Sequence, residues 1–488
     1  MAKTSPSNPN KKTAPQPNAK VRKLRKRIKK SKQTSEGIQS YSNRRRNKKR
    51  KIATSMLAIA ILLGSGGLAI AAAWISILFI SNPQQVSWLN NFVPGWVKVG
   101  SNEQRPHTVQ EIQTEIKNQQ RIVGEIVALE SDTQESFLLP IFRDRNNCNT
   151  DCKNIVELRI YHLSTDFEWR SPTKKYYDLT TQFSVTGPEE DEVIAPLVEA
   201  NAEETAGSSI PLPVSEIGRF DKDAPNPGIW YYLRGDRSSG TNQTAYGYVL
   251  YYNSDRRNLQ QMISWTSPTG DLPQWEQVTG NDEKELVVRQ TVGLEPRLRV
   301  YQVQPTEFVV NPIKLSEITL KPSVLQDEAY RDALLIAQSG LWTPAYQWLQ
   351  FIVKQKGKIP SAAQAQIDLI RLHSQLTKKL ADTSWASPSQ SVLADLIDGR
   401  WGEALKVFEA SPQNTAEITT LLKADTGRLE SRIDAALQIN PNRPEVQAWK
   451  ALIIASQKDT NQAYKWLNTQ SKISPDSLSY IKKLLAQI

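Results

Sequence analysis

The sequence predicts a multidomain chain. It reads as a disordered basic tail, one transmembrane helix, a β-rich sandwich or barrel-like extracytoplasmic domain, and a C-terminal α-solenoid of paired helices. Three observations predict this. The 29 residues Ile52–Ile80 carry no charge. Between Val109 and Leu320 apolar residues recur at every second position in short runs. From about Ser323 the period becomes helical, and one pattern returns at a spacing of 59 residues. The expected boundaries are 1–51 for the tail, 52–80 for the span, 81–108 for a juxtamembrane linker, 109–321 for the β-rich domain and 322–488 for the helical domain.

The tail holds the charge. The 488-residue chain has 61 Lys+Arg against 50 Asp+Glu, and 19 of those bases precede Ile52, where Glu36 is the sole acid. The rest of the chain is net negative, so its charge does not imply a nucleic-acid surface. Ser, Pro, Asn, Lys and Arg cannot build a core, so the tail is expected to be disordered. In VRKLRKRIKK, Val21, Leu24 and Ile28 share a helical face among Arg22, Lys23, Arg25, Lys26, Arg27, Lys29 and Lys30. Such a segment suits an anionic lipid surface. Base stacking needs aromatic side chains, and the tail has only Tyr41, so nucleic acid is not an expected partner.

About 20 apolar residues cross a bilayer as a helix, and Ile52–Ile80 exceeds that. It is also longer than the apolar region of a cleaved signal peptide. Arg44, Arg45, Arg46, Lys48, Lys49, Arg50 and Lys51 abut its start. The positive-inside rule therefore predicts a single-pass protein of the cell membrane, N-terminus cytoplasmic and later domains periplasmic or lumenal. Trp74, Phe79, Trp88, Phe92 and Trp96 would form an interfacial belt. Ala60, Gly64, Gly66 and Gly67 make one side of the span small, which permits self-association.

In the middle of the chain the runs NIVELRIYH, YYDLTTQFSV, IWYYL, YGYVLYY, ELVVRQTV and RLRVYQV alternate like strands between polar turns. Glu111–Leu129 is expected to open this region as a helix. The acidic, proline-punctuated segment Pro188–Pro227 reads as a solvated loop. Cys148 and Cys152 sit in a polar turn; outside the cytoplasm they are candidates for a disulfide. C-x3-C with His162 is too sparse for a structural zinc site, so no metal is expected. Trp230, Tyr232, Tyr248 and Trp265 are the candidates for a glycan-binding surface, weighed against packing in a core.

Motifs of catalysis do not appear. There is no G-x-S-x-G, H-E-x-x-H, P-loop or G-x-G-x-x-G before a helix. No enzyme activity, catalytic residue or cofactor is expected.

The recurring pattern joins GLWTPAYQWL, GRWGEALKVF and KDTNQAYKWL. Gly340, Gly399 and Lys458 are spaced by 59, as are Ala345, Ala404 and Ala463, and Leu349, Phe408 and Leu467. A turn residue, a small residue where helices cross and a large apolar residue describe a helix-turn-helix unit, with two such units expected in each period. The last unit resembles a tetratricopeptide repeat: Pro441 and Pro475 are 34 apart, with Ala451 and Ala463 at its small positions and Leu467 at its large one. Gly399–Glu409 resembles the turn and second helix of the same repeat. Departures are Lys458 in place of the turn glycine, Gln447 in place of the early tryptophan, and the break at Ser411-Pro412. The resemblance covers the last third of the chain and implies a scaffold that binds protein segments. Taken whole, the chain is similar to single-pass membrane proteins of cyanobacteria, which implies a topology and no activity. The expected function is a membrane-anchored, non-enzymatic scaffold or assembly factor holding another envelope or membrane protein through its repeats, with Trp342, Trp348, Trp385, Trp401, Trp449 and Trp466 as candidate contacts. The alternative is a cell-wall or glycan-binding module.

Overall fold

The alternating runs form strands, and the strands form three antiparallel sheets. The computed structural model describes residues 106–129, 135–145, 153–164, 174–200, 207–220, 223–239, 242–281, 283–307, 312–470 and 473–488. All belong to one unit, Leu78–Ile488; the other, Met1–Ile77, lies wholly outside the described residues.

Helix α1 (Val109–Asn118) starts at a capping box, in which Thr108 and Glu111 satisfy each other's backbone N–H groups. It ends well before Leu129, because Gln120 takes a positive φ and the chain turns into β1 (Ile122–Val123) and β2 (Val127–Ala128). Both short strands pair with β3 (Ser136–Asp144), which pairs with β4 (Lys153–Leu163) and through it with β5 (Tyr177–Ser184). Helix α2 (Glu190–Ala200) follows. The second sheet runs in sequence order: β6 (Glu216–Arg219), β7 (Ile229–Ser239), β8 (Asn242–Asn253) and β9 (Asn258–Ser267). So does the third: β10 (Gln274–Glu276), β11 (Glu285–Arg289), β12 (Leu298–Pro305) and β13 (Ile313–Glu317).

The sheets stack in layers. Ile112 and Ile116 of α1 cover one face of the first sheet, at Phe137, Leu139, Ile141 and Tyr161. Its other face, Leu138, Leu158 and Ile160, meets Tyr231, Leu233, Tyr246, Leu250 and Tyr252 of the second sheet. The opposite face of the second sheet, Trp230, Val249, Tyr251 and Trp265, meets Trp275, Leu286, Val288 and Tyr301 of the third. The middle sheet is thus covered on both faces by sheets, rather than forming half of a two-sheet sandwich or part of a barrel. Two-sided burial explains why IWYYL and YGYVLYY read as nearly unbroken apolar and aromatic runs. The acidic segment after Pro188 is not simply a loop. Glu190 accepts hydrogen bonds from Ser208 and pairs with Arg237 at 3.0 Å, and Val193 and Ile194 are buried.

The helical region contains α3 (Glu328–Gln338), α4 (Trp342–Lys356), α5 (Ser361–Ala381), α6 (Pro388–Asp398), α7 (Trp401–Glu409), α8 (Pro412–Ala424), α9 (Arg428–Ile439), α10 (Pro444–Gln457), α11 (Thr460–Thr469) and α12 (Pro475–Leu485). The 59-residue recurrence is the pairs α3–α4, α6–α7 and α10–α11. Gly340 and Gly399 take the left-handed φ of +89° and +80° at the turns, a conformation that favours glycine. Ala345, Ala404 and Ala463 are fully buried where the helices cross. Three or four helices fill each period, not two helix pairs, and the array is closed rather than an open solenoid. Helix α10 is buried on every side by α7, α8, α9, α11 and α12, and α9 returns to pack against α3.

Helix α5 belongs to both regions. Ala363, Ile367 and Ile370 face the helical core, whereas Ala365 and Leu369 join Val287, Leu298 and Val300 of the third sheet. At this seam His373 accepts a hydrogen bond from Leu298 N–H at 3.0 Å through Nε2, with Nδ1 placed 2.9 Å from Leu369 O as a donor. Trp342 stacks on the ring, centroids 3.9 Å apart. Both nitrogens are engaged in the neutral form, and burial depresses the imidazole to about 4. His162, held between Thr180 and Tyr252 at the junction of the first two sheets, is likewise depressed by burial to about 4. A histidine whose folded value lies below its unfolded value stabilises the neutral protein and loses that contribution as pH falls from about 6.5 toward 4. For His373 the loss is about 3 kcal/mol. His373→Gln keeps an acceptor for Leu298 N–H, and its urea midpoint should therefore fall less between pH 7 and pH 4 than the parent's. Equal falls would show that His373 titrates in the folded protein much as it does in the unfolded chain.

Among the described residues no helix is long and apolar enough to cross a membrane. That finding stands against the single-pass architecture expected from the sequence: among the described residues nothing supports it, nor the cell-membrane localisation and two-sided topology that rested on a spanning helix. The segment 52–80, the tail with its lipid-binding candidates Arg22 to Lys30, the linker tryptophans, and Cys148 and Cys152 all lie outside the described residues.

Candidate functional site

Helix α4 presents one face to the helical core through Ala345, Leu349 and Ile352. Its outer positions, Pro344, Gln347, Trp348 and Phe351, form the wall of a groove with two halves. The apolar half, about 300 Å³, is closed by Ile336, Leu341, Trp401 and the end of α9 at Ala436 and Ile439. Phe351 is 64% exposed at its edge, the most exposed aromatic side chain among the large apolar residues described. The polar half, about 430 Å³, is lined by Thr343, Lys378, Asp382, Asp398, Gly399 and Arg400. Pro344, Gln347 and Arg443 border both halves, so the two lie side by side.

The polar half is rigidly built. The Thr343 and Thr377 hydroxyls donate to Asp398 Oδ1 at 2.5 and 2.8 Å, and Arg400 Nε donates to Oδ2 at 2.8 Å. Arg400 also reaches Asp382 at 2.7 Å. One guanidinium therefore holds both carboxylates of the cleft, and buried Asp398 has the partners a charge requires. Lys378 and Arg443 are different. Both are exposed; Lys378 has no ion-pair partner among the described residues, and Arg443 has only Glu445 at 3.9 Å. Such a loose exposed pair is worth little.

Just behind this cleft, burial raises the Asp395 carboxyl to about 6; Arg400 pulls it down, and Glu403, Asp398 and Asp382 repel it. An acid raised in the folded state imposes no cost while protonated. Its cost grows as pH climbs from about 4 to about 6 and stays constant above. Asp395→Asn should therefore raise stability at pH 7.5 by about 1–3 kcal/mol and leave it unchanged below pH 4. Urea unfolding at the two pH values checks this, and a variant destabilised at pH 7.5 would show that the charge is wanted.

The six tryptophans proposed as contacts divide. Trp401 and Trp449 are core: Trp449 Nε1 donates to Trp401 O at 3.0 Å, and both are at most 1% exposed, although one edge of Trp401 reaches the groove. Trp342 is packed on His373. Trp385 is half-buried, its indole donating to Leu380 O, and Trp466 is half-buried against the core. Only Trp348 combines partial exposure with a place on the groove wall. The glycan candidates do not form a surface. Trp230, Tyr248 and Trp265 are buried between sheets, and half-buried Tyr232 packs on Phe220 while donating to Glu216. Inspection of the sequence missed Phe351, Lys378 and Arg443. In WTPAYQWLQFIVKQK, Phe351 lies off the face defined by Ala345, Leu349 and Ile352, and an apolar residue outside a helix's core stripe was the available signal.

Comparison with protein-family models, curated proteins and solved structures finds no match. Among the described residues no three His, Cys, Asp or Glu side chains converge as a metal site.

Proposed function

We propose that this chain is a non-enzymatic scaffold that binds a segment of another protein in the groove beside α4. The observation that carries the reading is the groove itself, with exposed Phe351 and half-buried Trp348 on an apolar wall and fixed polar groups in the adjoining half. Exposed aromatic anchors beside oriented polar groups are the usual composition of a protein-binding patch. The tetratricopeptide-like recurrence of α3–α4, α6–α7 and α10–α11 adds support, since such repeats serve as scaffolds.

The test is in-cell crosslinking and purification of the tagged full-length protein beside Phe351→Asp. A deletion after Lys321 would be a poor control, because α5 covers the third sheet. Phe351 is exposed, so the substitution leaves the core intact. One protein should be captured by the parent and lost from Phe351→Asp. An unchanged set of captured proteins would remove the groove from the function.

A further inference from the structure

Resting on that reading, we propose that the segment bound in the groove carries a large apolar side chain beside an acidic residue. The apolar half supplies Trp348, Phe351 and Ile439 as a floor for one side chain. In the polar half three cations face two carboxylates, and Arg400 already engages both carboxylates. Lys378 and Arg443 are left as the charges able to meet a ligand. A basic partner would find less: Asp398 is 2% exposed at its side chain, and Asp382, though 55% exposed, is already paired with Arg400. An acidic side chain gains two donors and competes only with the loose 3.9 Å contact of Arg443 to Glu445, which is the complementary arrangement. The apolar half, whose one lining cation is the shared Arg443, favours a peptide over a nucleic-acid backbone, whose charges repeat along its length. The lining comes mostly from α4, the end of α5, the α6–α7 turn and the end of α9; the first helices of the pairs contribute Ile336 and Asp398.

A phage-displayed library of random linear peptides, panned on the full-length protein, tests this. Enriched peptides should share an aromatic or aliphatic residue beside Asp or Glu. A fluorescent synthetic copy of the best should bind roughly tenfold more weakly to Lys378→Glu/Arg443→Glu and to Phe351→Asp, a loss of about 1.4 kcal/mol in each case. Raising salt should weaken it further. All three substituted side chains are exposed, so unchanged melting curves are expected and establish that the variants fold. Enriched peptides that lack an acid, and that respond to Phe351→Asp but not to the charge reversal, would overturn the acidic preference and leave the groove reading standing. Displacement of the peptide by equimolar oligouridylate would overturn the peptide preference. No enrichment, or binding indifferent to every variant, would overturn both the preference and the groove.

Discussion

Replacing Trp449 with Ala should destabilise the protein more than any other single truncation in the helical region, by about 3–5 kcal/mol. Trp449 is fully buried in α10, where the helix is surrounded on all sides, so the surrounding helices cannot collapse into the space without moving together. Its ring meets Phe408 edge-on at 6.0 Å, and its indole N–H holds the Trp401 carbonyl at the first turn of α7. The substitution removes buried area, an aromatic contact and a buried hydrogen bond. Trp449→Phe separates these, since it retains most of the volume and loses the donor; its cost should be nearer 1–2 kcal/mol. Guanidinium unfolding, followed by far-ultraviolet circular dichroism, reads both. Equal midpoints for the parent and Trp449→Ala would mean that α10 is not the centre of the helical core. The polar residues of α10 fit the same picture. Lys450 is nearly buried yet reaches Glu430 at 2.8 Å and Asp434 at 2.6 Å, and Gln447 donates to Pro441 O at 2.6 Å.

This centre explains what was legible beforehand and what was not. The strands β4, β5, β11 and β12 stand in the sequence as alternating runs and β7 and β8 as nearly unbroken apolar ones, because each side of a strand records its own environment. The stacking order of the sheets is recorded nowhere locally. It follows from Tyr231 and Leu233 finding the first sheet while Trp230 finds the third, and neighbouring residues of one aromatic run do not announce different partners. The 59-residue spacing was visible because Gly340 and Gly399 answer to a backbone requirement and Ala345, Ala404 and Ala463 to close helix contact. Closure of the array was not visible, because PEVQAWKALIIASQ carries the polar residues Gln447 and Lys450 that an exposed helix would also carry. Helix α5 was harder still. Its two apolar stripes, at Ala363, Ile367 and Ile370 and at Ala365 and Leu369, blur into one weak helical pattern, so the seam with the third sheet went unread. The groove shares that fate. Phe351 was a surface residue of one helix, and Lys378, Arg400 and Arg443 come together only when three separate turns meet.

The second large effect lies at that seam. Arg432 of α9 is 7% exposed at its side chain and meets Glu295, in the turn between β11 and β12, through both carboxylate oxygens; the Nη1–Oε1 distance is 2.7 Å. Its Nε is buried without a partner, so Glu295 is the group that balances the guanidinium. Glu295→Ala leaves a nearly buried cation uncompensated, a change that costs about 3–5 kcal/mol in a buried pair. Glu295 is itself 25% exposed, so water reaching the vacated site should keep the cost near 3 kcal/mol. Arg432→Met removes the charge with it, and the double variant Glu295→Ala/Arg432→Met should therefore be more stable than Glu295→Ala alone. Additive destabilisation in the double variant would show that the two side chains act independently. The location matters as much as the size. Arg428 donates to Glu199 O at 2.6 Å and Arg371 to Val278 O at 2.6 Å, so α9 and α5 fasten the helical region to α2 and the third sheet at separate points. Amide hydrogen exchange in Glu295→Ala should rise first in α9 and in the turn from Val292 to Glu295, while β7 and β8, covered on both faces, keep their protection. Uniform loss of protection would instead mean that the sheets and the helical region unfold as one cooperative unit, with the seam as strong as either side of it.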